Sequence, residues 1–478
     1  MSITPQKEFT VLQPSVAWED PHAWTDATDS LSVRAAAYEA LVQYAPGGHY
    51  KPVLASSWRI APDARTWTFY LRPDVPFHDG ETLQAHDVVS SLARACAPDA
   101  PGLYGTGGLC HSYLGDASVK ALDAHSVQIV TPEPMADLLD LLFKIPIVSQ
   151  HALDDLSQRS AGTGPYQLLT APDAGVVTMA RFDDYWAGRP PVERLHWRAE
   201  KDTAQRVSAL LSGDADLVTQ ISLEERQFIE TMGQARVVTA DGHLAVIFMC
   251  NARSGPCADQ RVRQALNYAL DMSRVIYAIK GGAAQPLNGP LTPAHLGYNP
   301  ETSPYPYDLG KAKALLAAAG YADGMTLTLD VPTHSPDEAS ALAQHMANQY
   351  ARIGITVEIK TFSDRPAYAE RVKAKQIKDA CAFDSSPLST YRCLREKFHS
   401  GVAGSWWQGY DNPEVNALLE RAWATVDDAQ RQGLYRRAYR IIRDDAPWIF
   451  FYSPTDFWGV GPRAQGWTPQ VDGLVRLI

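Results

Sequence analysis

LASSWRIAPDARTWTFYLRPDVPFHDGETLQAHDVVSSLAR, from Leu54 to Arg94, is the stretch on which the fold reading turns. In roughly 40 residues it reads as a strand, a tight polar turn, an alternating strand, a second turn and a helix. Trp58, Ile60, Trp67, Phe69 and Leu71 alternate with Arg59, Arg65, Thr68, Tyr70 and Arg72. That is the period-two pattern of strands with one buried face. Pro62-Asp63-Ala64 supplies the first turn and Asp79-Gly80 the second.

Outward from this stretch the chain keeps an α/β rhythm. Asp308 is placed to cap a helix through Lys311, Leu315 and Leu316, with Gly320 as its stop. A strand from Thr326 to Val331 follows. A helix opened by Pro336 runs through Leu342, Met346 and Tyr350 to Gly354, and a strand from Ile355 to Ile359 comes next. This is one β-α-β unit, whose crossover implies two parallel strands in one sheet. Asn412-Pro413-Glu414 has the order of a helix start, and Asp427 caps the next helix, which runs to Arg443. Trp448 to Tyr452 is apolar enough to be a buried central strand. There are no internal repeats and no linker rich in Gly, Ser or Pro, so the domains are expected to interleave.

The stretch 54–94 resembles the signature of the family 5 extracellular solute-binding proteins, receptors for peptides, nickel chelates and related solutes that feed ABC importers. GTGPY from Gly162 to Tyr166, RQALNYALD from Arg263 to Asp271 and AGY-DG around Gly320 are similar to the same family. So are GYDNPEVNALL from Gly409 to Leu419 and DDAPWIFFY from Asp444 to Tyr452. The resemblance runs in order from Thr10 to Gly459, and five loose motifs in one order are specific. It implies an α/β, two-lobed periplasmic-binding-protein fold (cluster C type) with an extra subdomain inserted in lobe one. Lobe one is expected at 1–243, with the inserted subdomain at about 36–160, lobe two at 244–452, and a return to lobe one at 453–478. Two crossings, near His243–Phe248 and Phe450–Thr455, imply a hinge that closes the lobes over a ligand.

Composition bounds the function. The chain has 478 residues, 45% hydrophobic and 20% charged, which fits two or three soluble domains. Its net charge of −11 argues against nucleic acid or an anionic membrane as the main partner. The longest apolar run, Leu138 to Val148, is short and carries Asp140 and Lys144, so no membrane insertion is expected. The basic run Arg431 to Arg443 has an apolar stripe of Leu434, Ala438, Ile441 and Ile442, as on an amphipathic helix with a solvated arginine face. Cys96, Cys110, Cys250, Cys257, Cys381 and Cys393 form three sequence-local pairs, compatible with disulfides or with buried thiols. MSITPQKEFTVLQ shows no secretory signal, which leaves a periplasmic mature form or a cytosolic member of the family.

No GxSxG, HExxH or CxxC occurs, and no cofactor or metal is expected. GTGPY and Gly105 to Gly108 lack phosphate-loop spacing and read as flexible turns. His111, His334, His345 and His399 are the only histidines to test against a chelated metal. Arg261 and Arg263 are expected to pair with Asp259 or Asp271 at the surface. The binding candidates lie between Phe383 and Tyr410. Asp384, Ser385, Ser386, Tyr391 and Arg392 gather hydroxyls around one acid and one base without apolar periodicity, which reads as a polar loop. In peptide-binding members of the family an aspartate here accepts the ligand's α-amino group, and Asp384 lines up best. The flanking SSPLST departs from the peptide-receptor pattern, and the bland alternative for Asp384 is a turn or cap acid. Trp407 and Tyr410 are preferred over Trp406 as an aromatic wall, with core packing the alternative. Lobe one offers Trp18, read as ending the first strand, and then Tyr104 and Arg94.

The leading function is a monomeric, non-enzymatic receptor delivering a small polar solute to an ABC importer permease. The solute is a short peptide or amino-acid conjugate, an opine or sugar conjugate, or a metal chelate. The alternative is a cytosolic hydrolase or transferase on the same fold, motivated by Ser385, Ser386, Ser389 and His399.

Overall fold

The computed structural model describes residues 5–477 apart from 104, 105, 155, 158, 171, 172, 174, 335 and 386. Two expected binding residues, Tyr104 and Ser386, therefore lie outside the described residues. The chain forms two compact units, Met1–Ala240 with Asp456–Ile478, and Asp241–Thr455.

In the first unit the strand Gln6–Gln13 lies between Val192–Ala199 and Leu217–Val218 and runs parallel to both. Val176–Arg181 and Tyr166–Leu168 continue the sheet antiparallel. Phe9, Val11, Val177, Met179, Leu195 and Trp197 are buried in one cluster, as apolar residues on a covered sheet face must be.

The stretch 54–94 builds a separate four-stranded antiparallel sheet. Ala55–Ile60 and Thr66–Leu71 pair with each other, and Ser126–Val130 and Ser118–Asp123 complete it. Trp67, Phe69 and Leu71 are buried while Thr66, Thr68 and Tyr70 are half-buried, so the period-two pattern does mark one covered face. Helix Ala85–Ala95 starts in a capping box, with Asp87 accepting from the Gln84 backbone, and buries Val88, Leu92 and Ala95. Of the six cysteines, Cys96 and Cys110 form a disulfide from the end of this helix to helix Leu109–Leu114. The other four are buried free thiols.

GTGPY is not a flexible turn. A Cβ on Gly162 would stand 2.2 Å from the Ala37 carbonyl oxygen, and one on Gly164 2.5 Å from the Ala37 carbonyl carbon. These glycines let two backbones touch. Between them, Thr163 donates to Glu39 at 2.8 Å, joined there by Tyr185 (2.7 Å) and the Trp186 indole (2.8 Å). Burial raises the Glu39 carboxyl, and these three donors offset that rise only in part.

In the second unit the sheet runs in the order Ile355–Phe362, Met325–Pro332, Ala380–Ser385, Ala245–Cys250 and the first part of Trp448–Val460. Met325–Pro332 and Ile355–Phe362 are parallel over their full length, with helix Ala339–Tyr350 between them, the β-α-β unit read from the sequence. Ala245–Cys250 is buried throughout. Its Val246, Phe248 and Cys250 feed one core cluster and its Ala245, Ile247 and Met249 another, which is why the run AVIFMC lacks alternation. Asp308, Asn412 and Asp427 cap their helices through the backbone N–H groups of Lys311 (2.8 Å), Glu414 (3.0 Å) and Gln430 (2.8 Å). Arg261 pairs with Asp259 at 2.5 Å. Arg263 does not. It is buried and donates to the carbonyl oxygens of Cys257 (3.0 Å) and Asp445 (2.9 Å).

Candidate functional site

Residues of the first unit gather where the chain leaves its central strand. That strand stops at Gln13, so Trp18 sits in the following segment and does not end the strand. The Trp18 indole N–H donates to Leu156 O at 3.1 Å, and its ring lies 5.7 Å from that of Tyr38. A cavity of about 10 Å³, room for one water, is lined by Trp18, Glu19, Ser30, Val33, Arg34 and Tyr38. Arg34 is buried and donates to Ala23 O at 2.8 Å. Burial pulls its guanidinium down to about 10, while Glu19 works the other way. Room for one water is too little for a solute, so these side chains form a packed polar and aromatic cluster. Glu19, Arg34 and Tyr38 were missed in the sequence because nothing in their spacing joins them to Trp18.

Arg94 is committed elsewhere. Its guanidinium grips Asp20 through two bonds of 2.8 and 2.6 Å and donates to His22 Nδ1 at 3.0 Å. Nδ1 therefore accepts, and His22 Nε2 carries the hydrogen that meets Pro146 O at 3.0 Å. Burial pulls His22 down to about 4.

In the second unit the expected polar loop is mostly regular structure. Asp384 and Ser385 end the strand Ala380–Ser385, where Asp384 stands opposite Val246. Tyr391 and Arg392 belong to helix Thr390–Phe398, capped by Ser389, whose hydroxyl accepts from the Arg392 N–H at 2.9 Å. Tyr391 is buried against Trp423, with ring centroids 5.4 Å apart. Arg392 is buried 3.9 Å from Glu396. Tyr410 is a core residue. Its hydroxyl donates to Asp445 at 2.7 Å, where Asn412 also donates, and burial raises its phenol. The Trp407 indole donates to Tyr410 O at 2.7 Å, while Trp406 packs on Phe383 at 4.7 Å. Asp384 and Trp407 keep partial exposure. The sequence misled because a helix N-cap and a polar loop use the same serine and threonine vocabulary.

Beneath Asp384 the structure brings together side chains distant in sequence. Ser385 Oγ accepts from the Lys397 ammonium at 2.6 Å and lies 3.5 Å from Cys393 Sγ, which His295 Nε2 approaches to 3.9 Å. Of the histidines singled out for metal, His399 meets Glu420 at 3.1 Å, His111 meets Cys96 O at 3.1 Å and His334 meets Thr333 Oγ1 at 3.3 Å. His345 is half-buried on helix Ala339–Tyr350. Among the described residues no group of three or more His, Cys, Asp or Glu is placed to hold a metal ion. Among them, too, no helix is long and apolar enough to cross a membrane.

Comparison with known proteins fixes the family. Residues 49–392 match the bacterial extracellular solute-binding proteins, family 5. The chain is 31% identical over 453 residues to the glutathione-binding protein of Pectobacterium atrosepticum, covering 90% of this chain and 85% of that one. It is 28% identical over 462 residues to heme-binding protein A of Haemophilus influenzae, covering 90% and 84%. Among solved structures it is similar to the periplasmic binding protein DppA of Helicobacter pylori, in complex with the peptide STSA. There the TM-score is 0.78 at 26% identity, with 96% and 94% covered. The fold of HbpA2 from Haemophilus parasuis superposes with a TM-score of 0.85 at 24% identity, over 98% of each chain. Such a fold is two-lobed and α/β. This chain belongs to family 5 of the bacterial extracellular solute-binding proteins.

Proposed function

We propose that this solute-binding protein captures a short peptide of the glutathione class. As a periplasmic monomer it passes the peptide unaltered to the permease of an ABC importer. The observation carrying the reading is the 31% identity over 453 residues to a glutathione-binding relative. A tripeptide of this class presents an ammonium group and two carboxylates. Asp384, at a strand end and partly exposed, is an acceptor for the ammonium. Trp407, also partly exposed in the same unit, adds an aromatic surface. The chain crosses between its units at 240/241 and 455/456, and a hinge motion is absorbed at such positions.

A hydrolase reading has one observation in its favour, the 2.6 Å contact of Lys397 with Ser385, a spacing suited to a serine–lysine dyad. A nucleophile must meet its substrate, however, and Ser385 is buried. Titration calorimetry with glutathione tests the main reading, with a Kd of about 10 μM or tighter expected. Heat absent at millimolar glutathione, or turnover of the peptide abolished by Ser385→Ala, overturns it.

A further inference from the structure

The first unit holds a cavity of about 500 Å³ in which Trp18, Asp384 and Trp407 take no part. For scale, a cavity of about 150 Å³ opened in a protein core already admits benzene. Its walls come from helix Ala85–Ala95, helix Leu109–Leu114 and the strands Ser118–Asp123 and Ser126–Val130. Leu92, Leu114 and Ile129 are buried and make the floor, with Val119 opposite Ile129 in the sheet. Ala93 and Gly115 are exposed at the rim. The Cys96–Cys110 disulfide ties the end of the first helix to the second, so a covalent link sets the walls before anything binds.

Among the described residues no charged side chain lines this cavity, and His111 is its one polar side chain. His111 Nδ1 lies 3.1 Å from Cys96 O. A carbonyl oxygen only accepts, so Nδ1 carries the hydrogen and, in the neutral ring, Nε2 holds a lone pair. Nε2 has no hydrogen-bond partner among the described residues. Gly115 makes room for the ring, because a Cβ there would collide with His111 Nδ1 and Cε1. Its φ of −58° is ordinary for any residue, so the glycine serves space and not conformation.

The cavity therefore offers apolar walls and a single acceptor. A carboxylate or an ammonium would lose its water there and gain no partner. A protein occupant fits poorly too, since 12 residues line the cavity against about 20–30 on each side of a stable protein interface.

We propose that this cavity is a second ligand site, for a small neutral aromatic molecule of two fused rings bearing one hydroxyl or N–H donor. The rings cover Leu92, Leu114 and Ile129, and the donor bonds to His111 Nε2. Such a ligand is chemically unlike a charged peptide, so the site stands apart from the function proposed above.

Equilibrium dialysis of the whole protein with 2-naphthol tests this, at about pH 8, where imidazole in water is neutral. One saturable site with a Kd of about 100 μM or tighter is expected. The comparison probe is 2-methylnaphthalene, which has the same shape and no donor. His111→Phe keeps a ring in place and removes the acceptor. The affinity of 2-naphthol relative to 2-methylnaphthalene should fall at least about fivefold in that variant. Ala93→Trp fills the cavity from its exposed rim and should weaken 2-naphthol at least about tenfold. Glutathione at about 1 mM should leave 2-naphthol binding unchanged. No saturable binding, full affinity in Ala93→Trp, an unchanged ratio in His111→Phe, or displacement by glutathione would each overturn the proposal. So would a wild-type dimer that Ala93→Trp returns to a monomer, since a second copy would then cover the cavity. If Ala93→Trp does not fold, His111→Phe and the glutathione competition decide.

Discussion

Glu39 and Asp384 are two carboxylates with different expected roles, one structural and one in the proposed binding. Glu39 sits under Thr163, Tyr185 and Trp186, three donors to a buried acid. Glu39→Gln replaces an accepting oxygen with an NH₂ group that faces those donors. It should cost roughly 1–3 kcal/mol in denaturant unfolding with glutathione affinity unchanged. Asp384→Ala should do the reverse, weakening glutathione at least about tenfold in calorimetry while shifting Tm by no more than about 2 °C. A large loss of stability with intact affinity would make Asp384 a structural acid. The sequence separates neither role. Glu39 is a lone acid just past helix Thr28–Ala37, and its three partners arrive from residues 163 to 186. Tyr410 misled for the same reason, since its partner Asp445 is 35 positions away.

At the scale of elements, local chemistry was legible. Caps at Asp308, Asn412 and Asp427 and the alternation of Trp67, Phe69 and Leu71 all mark what they promised, because each is decided within a few residues. What failed was the distinction between a flexible and a tightly packed turn. GTGPY and a mobile loop share a composition, and only the approach of Ala37 tells them apart. Gly164→Ala puts a methyl against the Ala36 and Ala37 backbone, both carbonyl oxygens 2.8 Å away, where neither side can yield as a flexible side chain would. A loss of roughly 1–3 kcal/mol is expected from thermal or denaturant melts. An unchanged Tm would mean that the two segments can separate freely. The segment 384–392 misled in the opposite direction. Strand end and helix cap use polar residues there, so a regular stretch looked irregular.

For the whole molecule, the buried His22 and the half-buried His78 set an acid limit. Burial lowers both His22 and His78 to about 4 from 6.5. Between those values the unfolded chain binds more protons than the folded one, so stability falls as pH drops. The contribution is complete above 6.5 and gone near 4, and each histidine supplies at most roughly 3 kcal/mol. Tm should therefore decline between pH 6.5 and 4.5, and His22→Gln with His78→Gln should flatten that slope. An identical slope in the double variant would assign acid sensitivity to other groups. Fold and family were legible at this scale because many weak motifs fell in one order. The solute was not, since Asp384 and Trp407, the partly exposed candidates, carry no local pattern that names a ligand. The central claim is that a peptide is bound and given back intact. Protein loaded with glutathione, freed of excess and then denatured should release one equivalent of unchanged glutathione on mass analysis. Release of a cleaved product, or of none at all, would contradict it.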